Sequence, residues 1–272
     1  LDMITAMDVE EYLSYLESYT KDGKLYTNRE EGKARKLSSL KSFYDYYFKK
    51  NLIRTNPPRQ VDVPKIKNKN IIRLDPNEIA QLLDEAESGE KLSGRQLASH
   101  EKTKVRDVAI LTLLLGTGIR VSECVGLNLE DVDFNNGAIR IIRKGGNEAL
   151  IYFGDEVSQA LEAYMNGSRK TAEPAAGHEE ALFISLNKTR ITTRSVERLV
   201  KKYSRLVTTV KKITPHKLRS TFGTALYQET GDIYLVADTL GHKDVNTTKK
   251  HYAAIDEHRR RMAANVVKLR ES

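Results

Sequence analysis

The sequence predicts a mainly α-helical protein that carries one small antiparallel β-sheet. Three observations predict this fold class. Apolar residues recur at helical spacing over residues 1–54 and over most of the chain beyond residue 76. Two β-rich runs within residues 138–153 flank a Gly-Gly-Asn turn, which is typical of a hairpin. A proline-rich, basic stretch at 55–72 separates the first helical region from the rest, so we predict two domains of unequal size.

The smaller predicted domain is N-terminal and comprises residues 1–56. Its helical pattern is interrupted only by a polar break at residues 21–28. Residues 57–72 are predicted to form a semi-extended linker without a helix, because they hold three of the six prolines and prolines interrupt helices. The helical pattern starts almost at Leu1, which is not a methionine, so we expect this domain to be incomplete at its N-terminus.

The larger predicted domain comprises residues 73–272. Residues 88–104 are strongly polar and are predicted to form a loop, whereas residues 105–115 predict a mostly buried helix that ends at a Gly-Thr-Gly turn. Residues 216–228 predict an amphipathic helix. Gly241 follows a short apolar helical stretch and is expected to terminate it, as glycine commonly does.

Composition and charge indicate a protein that meets a polyanion in a reducing compartment. The 272 residues carry 45 Lys and Arg against 37 Asp and Glu, a formal charge of +8. Cys124 is the only cysteine, which excludes an intrachain disulfide and a four-thiolate zinc site. The longest apolar stretch, 108–115, is too short to span a bilayer, and the sequence begins without a signal-peptide pattern. We therefore predict a cytoplasmic protein with no membrane partner.

Basic side chains are concentrated between residues 190 and 220, where ten of them accompany a single acid, Glu197. Those spaced at three or four residues are predicted to share one helical face. A solvated surface could have the same composition, but like charges at that spacing repel, and a nucleic acid lying along the face would offset the repulsion. The predicted DNA contacts here are Arg190, Arg194, Arg198, Lys201, Lys202, Arg205, Lys211, Lys212 and Lys217.

A second set of candidate DNA contacts lies in the N-terminal domain. The helix that follows the polar break places basic side chains near tyrosines, a combination that suits a phosphate backbone. The alternative interpretation is a solvated helix face, which is what most charge runs are. We predict DNA contacts from Lys33, Arg35 and Lys36.

Four short motifs follow one another along the larger domain. Each alone has a plain structural interpretation, such as a surface ion pair or a solvated histidine. Their order and spacing together are far more specific than any one of them. The motifs are GTGIRVSE at 116–123, HKLR at 216–219, LGH at 240–242 and the tyrosine of KKHYAAID, Tyr252.

Together these motifs resemble the signature of the tyrosine recombinases, the superfamily of lambda integrase and the Xer proteins. The resemblance extends from about residue 74 to residue 252, and the N-terminal helices resemble the core-binding domain of that family. It implies a small helical core-binding domain followed by an α+β catalytic domain with a C-terminal helix. Residue 220 is a serine where many relatives carry histidine, a departure that we expect to be tolerated.

The resemblance implies that Tyr252 is the nucleophile and that Lys144, in the hairpin turn, is the general acid for the leaving 5′-oxygen. A free tyrosine has a pKa of about 10 and is a poor nucleophile at neutral pH, so it needs cationic neighbours that favour the phenolate. The phosphotyrosine ester would retain the energy of the broken bond. Rejoining would therefore need no ATP, and the sequence has no GxxxxGK[ST] loop.

The resemblance implies that five further residues act on the scissile phosphate. Arg120 and Arg219 would clamp it, since planar guanidinium forks suit the charge of the transition state. His216 and His242 would bond its oxygens, and His216 would be placed to take the proton of the tyrosine. Glu123 would support the first arginine. The two arginines would do the work that a magnesium ion does elsewhere, so no metal or other cofactor is expected.

The resemblance also implies a partner and an assembly. The partner is double-stranded DNA with a specific recombination site, and a homotetramer would exchange strands through a Holliday junction in the nucleoid. The tail carries Met262, Val266 and Leu269 at helical spacing, and this helix would dock either on its own domain or in trans on a neighbouring protomer. Chromosome-dimer resolution and integration of a mobile element both remain open.

Three other functions remain open at this point. A type IB topoisomerase uses closely similar chemistry, but as a monomer without partner sites. A DNA-binding regulator would keep the fold and lose the chemistry, although the presence of all six expected catalytic side chains argues against that loss. A metal-dependent nuclease would need a carboxylate cluster near the histidines, which the sequence lacks.

Overall fold

A computed structural model describes residues 1–65, 72–143, 145–242, 244–245 and 248. The chain divides into two compact units, Leu1–Lys69 and Asn70–Ser272, each with its own buried apolar core. The division falls within the segment that the sequence predicts to be a linker.

The N-terminal unit packs two main helices over a small core. Helix α1 (Ala6–Tyr15) begins with a capping box: the Thr5 hydroxyl accepts from the Asp8 N–H at 3.3 Å, and the Asp8 carboxylate accepts from the Thr5 N–H at 2.7 Å. Helix α2 (Glu30–Lys49) crosses the same core. The buried residues of this core are Val9, Leu13, Leu16, Leu37 and Val61.

The polar break predicted at residues 21–28 is a β-hairpin. Strand β1 (Ser18–Lys21) pairs antiparallel with strand β2 (Lys24–Thr27). Asp22 and Gly23 form the turn with φ values of 50° and 71°, the signs that a type I′ turn requires. The prediction of a plain break is therefore wrong here, and the Asp-Gly pair between short alternating runs is the local signal for the hairpin.

A short helix, α3 (Pro57–Gln60), lies in the segment predicted to hold none, so that prediction is wrong at its start. Pro57 and Pro58 are buried, and proline fits the first turn of a helix because the N–H it lacks would have no helical partner there. Val61 packs into the core of the N-terminal unit. Residues 57–61 therefore belong to that unit and not to an extended linker.

The C-terminal unit is built around helix α5 (Gly94–Thr117), which packs against α4 (Pro76–Ser88), α7 (Asp155–Tyr164) and α9 (Pro215–Thr230). The buried helix predicted at 105–115 is the C-terminal half of α5. None of the helices in the described part of the chain is both long enough and apolar enough to cross a bilayer. The other α-helices in the described part of this unit are α4 (Pro76–Ser88), α6 (Val121–Gly126), α7 (Asp155–Tyr164), α8 (Thr193–Val207), α9 (Pro215–Thr230) and α10 (Ile233–Leu240).

The C-terminal unit also contains the predicted antiparallel sheet. Strands β3 (Val132–Asp133), β4 (Ala138–Ile142) and β5 (Glu148–Tyr152) are hydrogen-bonded in that order. Ile139 lies opposite Ile151 in the register, and both are buried. The predicted hairpin is therefore confirmed.

The polar stretch 88–104 is mostly helical, so the predicted loop is wrong. Only residues 89–93 separate α4 from α5, and the Ser93 N–H donates to Gln96 Oε1 at 3.2 Å where α5 begins. Polar residues in this half of α5, among them His100 and Thr103, are buried. His100 bonds to Tyr203 on α8, about a hundred residues away, and Thr103 bonds to Asp107 one turn further along α5. Most of the other residues between 94 and 104 are exposed, so their polarity reflects a solvated helix face and not a loop.

A buried polar network joins α5 to α8. The Tyr203 hydroxyl donates to Asp107 Oδ2 at 3.0 Å, and His100 Nδ1 lies 3.0 Å from the same hydroxyl. Arg106 donates to Asp107 Oδ1 at 2.6 Å, and Thr103 donates to Oδ2 at 3.0 Å. Burial raises the pKa of Tyr203, and the Asp107 charge raises it further. The Asp107 carboxylate thus accepts from the side chains of Arg106, Thr103 and Tyr203.

Replacing Asp107 with alanine is expected to lower the free energy of unfolding by about 3–5 kcal/mol, because it removes the carboxylate that pairs with the Arg106 guanidinium and accepts from the buried Tyr203 hydroxyl. Thermal unfolding should show a fall in Tm of roughly 10 °C for a unit of this size. Glu101→Ala, on the same helix, removes only an exposed pair with Lys104 and should leave Tm unchanged. Equal Tm values for the two variants would contradict the network's importance.

Candidate active site

The Gly-Thr-Gly turn holds Arg120 at the start of helix α6. Gly118 ends α5 with φ at 63°, and a side chain there would also strike the ring of Phe222. The Arg120 N–H donates to Glu123 Oε2 at 2.7 Å, and Arg120 Nη1 donates to Glu123 Oε1, also at 2.7 Å. The buried Glu123 carboxylate therefore fixes both the backbone and the guanidinium of Arg120.

Helix α9 carries His216 and Arg219 on its first turns, as the sequence predicts. Arg219 is only 6% exposed. Its Nη1 donates to Gly118 O at 2.7 Å, and its Nη2 donates to Leu240 O. One guanidinium thus joins the turn before Arg120 to the end of helix α10. His216 lies one turn earlier and is exposed.

The end of helix α10 presents His242. Gly241 has a φ of 61° and ends the helix, which confirms the predicted C-cap. The His242 N–H then turns back to Ala237 O at 2.8 Å. His242 Nδ1 lies 2.6 Å from Thr248 Oγ1, a bond that orients the ring. Arg120 Nη2 donates to Gly241 O at 3.3 Å and so reaches the same helix end.

Three motifs that are distant in the chain therefore meet around the C-terminus of α10. The carbonyls of Gly118, Leu240 and Gly241 together accept from the guanidiniums of Arg120 and Arg219. Cations are favoured at a helix C-terminus, where the last carbonyls lack helical partners. A guanidinium has five N–H donors, more than these bonds use. The arrangement can bind a dianionic or monoanionic phosphate between two guanidiniums and an imidazole.

Two of the six predicted catalytic residues, Lys144 and Tyr252, lie outside the described residues. The hairpin turn on either side of Lys144 is described. The Arg143 N–H donates to Asn147 O at 2.8 Å, and the Gly146 N–H donates to Arg143 O at 3.0 Å. The roles of Lys144 and Tyr252 remain predictions.

Arg143 belongs to the site, although the sequence analysis did not single it out. Its Nη2 donates to Thr239 O at 3.2 Å, in the last turn of α10. It is therefore the third guanidinium at this helix end, beside Arg120 and Arg219. The sequence gives no local signal for this role, because the partner of Arg143 lies 96 residues away. Of the residues in this turn, the family resemblance assigns a role only to Lys144.

Four of the five basic residues predicted to share a helical face at 190–205 lie exposed on helix α8, whereas Arg190 is not part of that helix. Contact of any of them with DNA stays a prediction. Arg190 lies before α8 begins, and its Nη1 donates to Leu127 O at 2.7 Å while its Nη2 donates to Asn128 Oδ1 at 2.5 Å. It thereby holds the chain that leaves α6. The exposed basic residues that do share a face of α8 are Arg194, Arg198, Lys201 and Arg205.

Three other predicted DNA contacts are bonded within the protein. Lys33 is buried, and its Nζ lies 2.6 Å from Glu17 Oε1 and 2.8 Å from Glu30 Oε1. It is therefore not on a solvated face. Lys202 donates to the Tyr203 hydroxyl at 3.0 Å, and burial lowers the pKa of this lysine. Lys211 pairs with Glu78 at 2.5 Å. The exposed or half-buried candidates that have no such bond described are Arg35, Lys36, Lys212 and Lys217.

Comparison with known proteins places the chain in a family. Residues 72–259, more than half of the chain, match the family described as the phage integrase family. The chain belongs to that family. A relative from Thermodesulfovibrio yellowstonii, tyrosine recombinase XerC, is 37% identical over 218 residues, which are 79% of this chain and 69% of the relative. The chain is thus a tyrosine recombinase, a DNA strand-exchanging enzyme of the Xer and integrase type.

Solved structures share the fold of this recombinase. The XerH site-specific recombinase bound to palindromic difH substrate, in a post-cleavage complex, has a TM-score of 0.72 at 21% identity, covering 98% of this chain and 73% of that chain. The Tn1549 transposon integrase in complex with transposon right end DNA has a TM-score of 0.71 at 24% identity, covering 98% and 87%. The predicted fold class, mainly helical with a small antiparallel sheet, is confirmed.

Proposed function

We propose that this recombinase cuts and rejoins DNA strands at a specific site through a 3′-phosphotyrosine intermediate. The observation that carries the proposal is the meeting of Arg120, Arg219 and His242 around the end of helix α10. Each is held by backbone carbonyls, a buried carboxylate or a hydroxyl before any DNA arrives. Donors fixed in advance stabilise a charged transition state without the cost of reorganising them.

In the proposed cleavage step, the Tyr252 oxygen bonds to the scissile phosphorus and the bond from phosphorus to the 5′-oxygen breaks. The phenol proton passes to His216, and Lys144 gives a proton to the leaving 5′-oxygen. Arg120 and Arg219 bind the phosphoryl oxygens as charge builds on them. A 5′-hydroxyl of a partner strand then reverses the reaction, so the exchange consumes no ATP.

The proposed chemistry also needs no metal ion. The two guanidiniums neutralise the phosphoryl charge, which is the task a magnesium ion has in many phosphoryl-transfer sites. Within the described residues, no group of three His, Cys, Asp or Glu side chains is arranged to hold a metal. Cleavage is therefore expected to continue in excess EDTA.

We infer that DNA lies along the exposed face of helix α8. Its four basic side chains are spaced to follow a phosphate backbone, and counter-ion release would make binding fall steeply with salt. Lys212, Lys217, Arg35 and Lys36 are further candidate contacts. The bonded residues Arg190, Lys33, Lys202 and Lys211 are weaker candidates, because contact with DNA would have to compete with their present partners.

The domain roles and the assembly are part of the proposal. Residues 1–56 act as a core-binding domain and 73–272 as the catalytic domain, on DNA in the nucleoid of the cytoplasm. A tetramer joins two duplexes and exchanges strands through a Holliday junction, with the C-terminal helix docked in cis or in trans. The similar proteins include both Xer recombinases and a transposon integrase, so the sequence of the target site decides between chromosomal and mobile-element roles.

The experiment that tests the proposal captures the DNA that the enzyme attaches to itself. Purified protein is incubated with fragmented genomic DNA in EDTA, denatured in SDS, and the covalently bound fragments are sequenced. A nicked duplex carrying the recovered site is then trapped and digested. We expect a peptide containing Tyr252 linked to a 3′-phosphate, and a 5′ linkage or a different residue would overturn the proposal.

The purified protein and the recovered site also distinguish the other candidate functions. Relaxation of supercoiled plasmid lacking the site would indicate a topoisomerase. Specific binding without any covalent complex would indicate a regulator. Cleavage that EDTA abolishes would indicate a metal-dependent nuclease. Recombination between two plasmid-borne copies of the site is the expected result.

A further inference from the structure

We propose that Arg143 is a positioning residue that fastens the β4–β5 turn to the C-terminal end of helix α10. The turn carries Lys144, the next residue in the chain, and the helix end carries His242. Arg143 would therefore hold two parts of the catalytic site in a fixed relation. This inference rests on the proposed function for the role of Lys144, and it concerns a residue that the recombinase motifs of this chain do not include.

The contact between Arg143 and α10 is close. Arg143 Nη2 donates to Thr239 O at 3.2 Å and lies 3.5 Å from Asp238 O. The guanidinium also lies close against Gly241: a Cβ added there would clash with Arg143 Nη1 and Cζ and would lie 2.8 Å from Arg143 Nε. The absence of a side chain at Gly241 thus serves two purposes: it lets the helix end in the left-handed conformation, and it gives Arg143 access to the last turn.

The same residue closes the turn. The Arg143 N–H donates to Asn147 O at 2.8 Å, and Arg143 O accepts from the Gly146 N–H at 3.0 Å. Gly145 and Gly146 have φ values of 100° and 83°. Glycine adopts such values without strain but has little intrinsic preference for them, so the backbone alone does little to orient the turn. A Cβ on either glycine would meet nothing within 4 Å, so packing of the described residues does not hold the turn from that side. Arg143 is the described link between the turn and the rest of the site.

Charge supports the arrangement. The carbonyls of the last turn of a helix have no helical partners and carry partial negative charge, so a guanidinium is favoured there. Arg120 and Arg219 bind the carbonyls of Gly241 and Leu240, and Arg143 binds that of Thr239. The three arginines therefore take successive carbonyls of one helix end. Movement of α10 would be transmitted to all three.

The test uses two substrates that differ in one atom. A nicked duplex with an ordinary scissile phosphate needs a proton for its leaving 5′-oxygen, whereas a duplex with a 5′-bridging sulfur releases a thiolate, which is stable without one. Loss of a general acid costs about 10²–10⁴-fold in rate on the ordinary substrate. Lys144→Ala should therefore cleave the ordinary DNA slowly and the sulfur-containing DNA at nearly the wild-type rate.

Arg143→Ala is expected to share this pattern. Its cleavage of ordinary DNA should fall by roughly 10-fold or more, because a general acid that is badly placed works poorly, while its cleavage of the sulfur-containing DNA should change by less than about 3-fold. Arg143→Lys should recover only part of the loss, since an ammonium lacks the planar fork. Arg140→Ala is the matched control: it removes an exposed guanidinium, paired with Asp131, from strand β4 three residues before Arg143, and should leave both rates unchanged.

Two results would overturn the inference. One is an equal loss on both substrates, which would mean that Arg143 serves folding or the phosphate itself. The other is a decrease in the slope of log affinity against log salt concentration in Arg143→Ala, by about the amount expected for one lost phosphate contact. Such a decrease would make this arginine a DNA ligand. If the sulfur-containing DNA does not restore the cleavage rate of Lys144→Ala, the proposed general acid is wrong. That result would leave the structural role of Arg143 to be decided separately.

A second measurement tests, without catalysis, whether Arg143 links the β4–β5 turn to helix α10. Amide hydrogen exchange reports local opening, and the N–H groups of Gly146 and His242 lie on the two sides of the Arg143 contact. Arg143→Ala should speed exchange at both amides by roughly 10-fold, and Arg140→Ala at neither. Unchanged exchange at both amides in Arg143→Ala would show that no such link exists.

Discussion

Tyr252→Phe protein is expected to bind its DNA site with unchanged affinity and to form no covalent complex. The substitution keeps the aromatic ring and removes only the oxygen that would attack phosphorus. No other group can then complete the same ester, so the expected loss is total and not a fraction of the rate. A nicked duplex carrying the recombination site, denatured in SDS after incubation, measures the complex, and a mobility-shift titration measures binding.

The matched control for this substitution is Tyr234→Phe. Tyr234 lies on helix α10 in the same unit and is 70% exposed, so removal of its hydroxyl should change neither binding nor trapping. Covalent complex in the Tyr252→Phe protein would show that another residue is the nucleophile. Loss of DNA binding in that variant would instead assign Tyr252 a place in the interface.

Arg219→Lys is expected to slow cleavage by about 10²–10³-fold, the usual cost of removing one fixed donor from a charged transition state. It should also destabilise the fold. Arg219 is buried and donates to both Gly118 O and Leu240 O, and a lysine cannot reproduce this fork. A carbonyl left without its donor costs about 1–3 kcal/mol, which corresponds to a fall in Tm of roughly 2–10 °C.

Arg120→Lys separates the catalytic part of this effect from the structural part. The Arg120 side chain is partly exposed, and a lysine there can still pair with Glu123. Cleavage should slow severely while Tm and DNA affinity stay near the wild-type values. Single-turnover cleavage on a nicked duplex and thermal unfolding are measured for both variants. An Arg219→Lys protein that loses stability but cleaves normally would leave Arg219 with a structural role alone.

The sequence predicted the elements whose causes are local. The hairpin at 138–153, the amphipathic helix at 216–228 and the glycine that ends α10 each depend on residues a few positions apart, so periodicity and turn chemistry were sufficient. The Asp-Gly hairpin at 18–27 was equally local, and its signal was present but overlooked. The prolines of α3 were interpreted as helix breakers, although their position in the first turn suits a helix.

Polar residues account for most of the remaining errors, because a sequence does not say whether a polar group is solvated or paired. Lys33 and Arg190 were predicted to face DNA, yet one lies between two carboxylates and the other on the carbonyls that follow α6. The first half of α5 was predicted to be a loop because its residues are polar, yet exposed polar residues also suit the surface of a helix. Lys33 and Arg190 each have a partner at least 16 residues away along the chain, which local patterns do not reveal.

By itself, the sequence determined the mainly helical fold through the periodicity of its apolar residues, and the family and the candidate catalytic residues through the order of its motifs. Only the tertiary structure decided that Arg120, Arg219 and His242 meet at one helix end, that Arg143 joins them, and that several lysines and arginines serve the protein's own carbonyls and carboxylates. The physical reason is range. Helical and turn preferences act over a few residues, whereas a buried guanidinium must find acceptors wherever the fold brings them, as Arg219 does at Gly118 and Leu240.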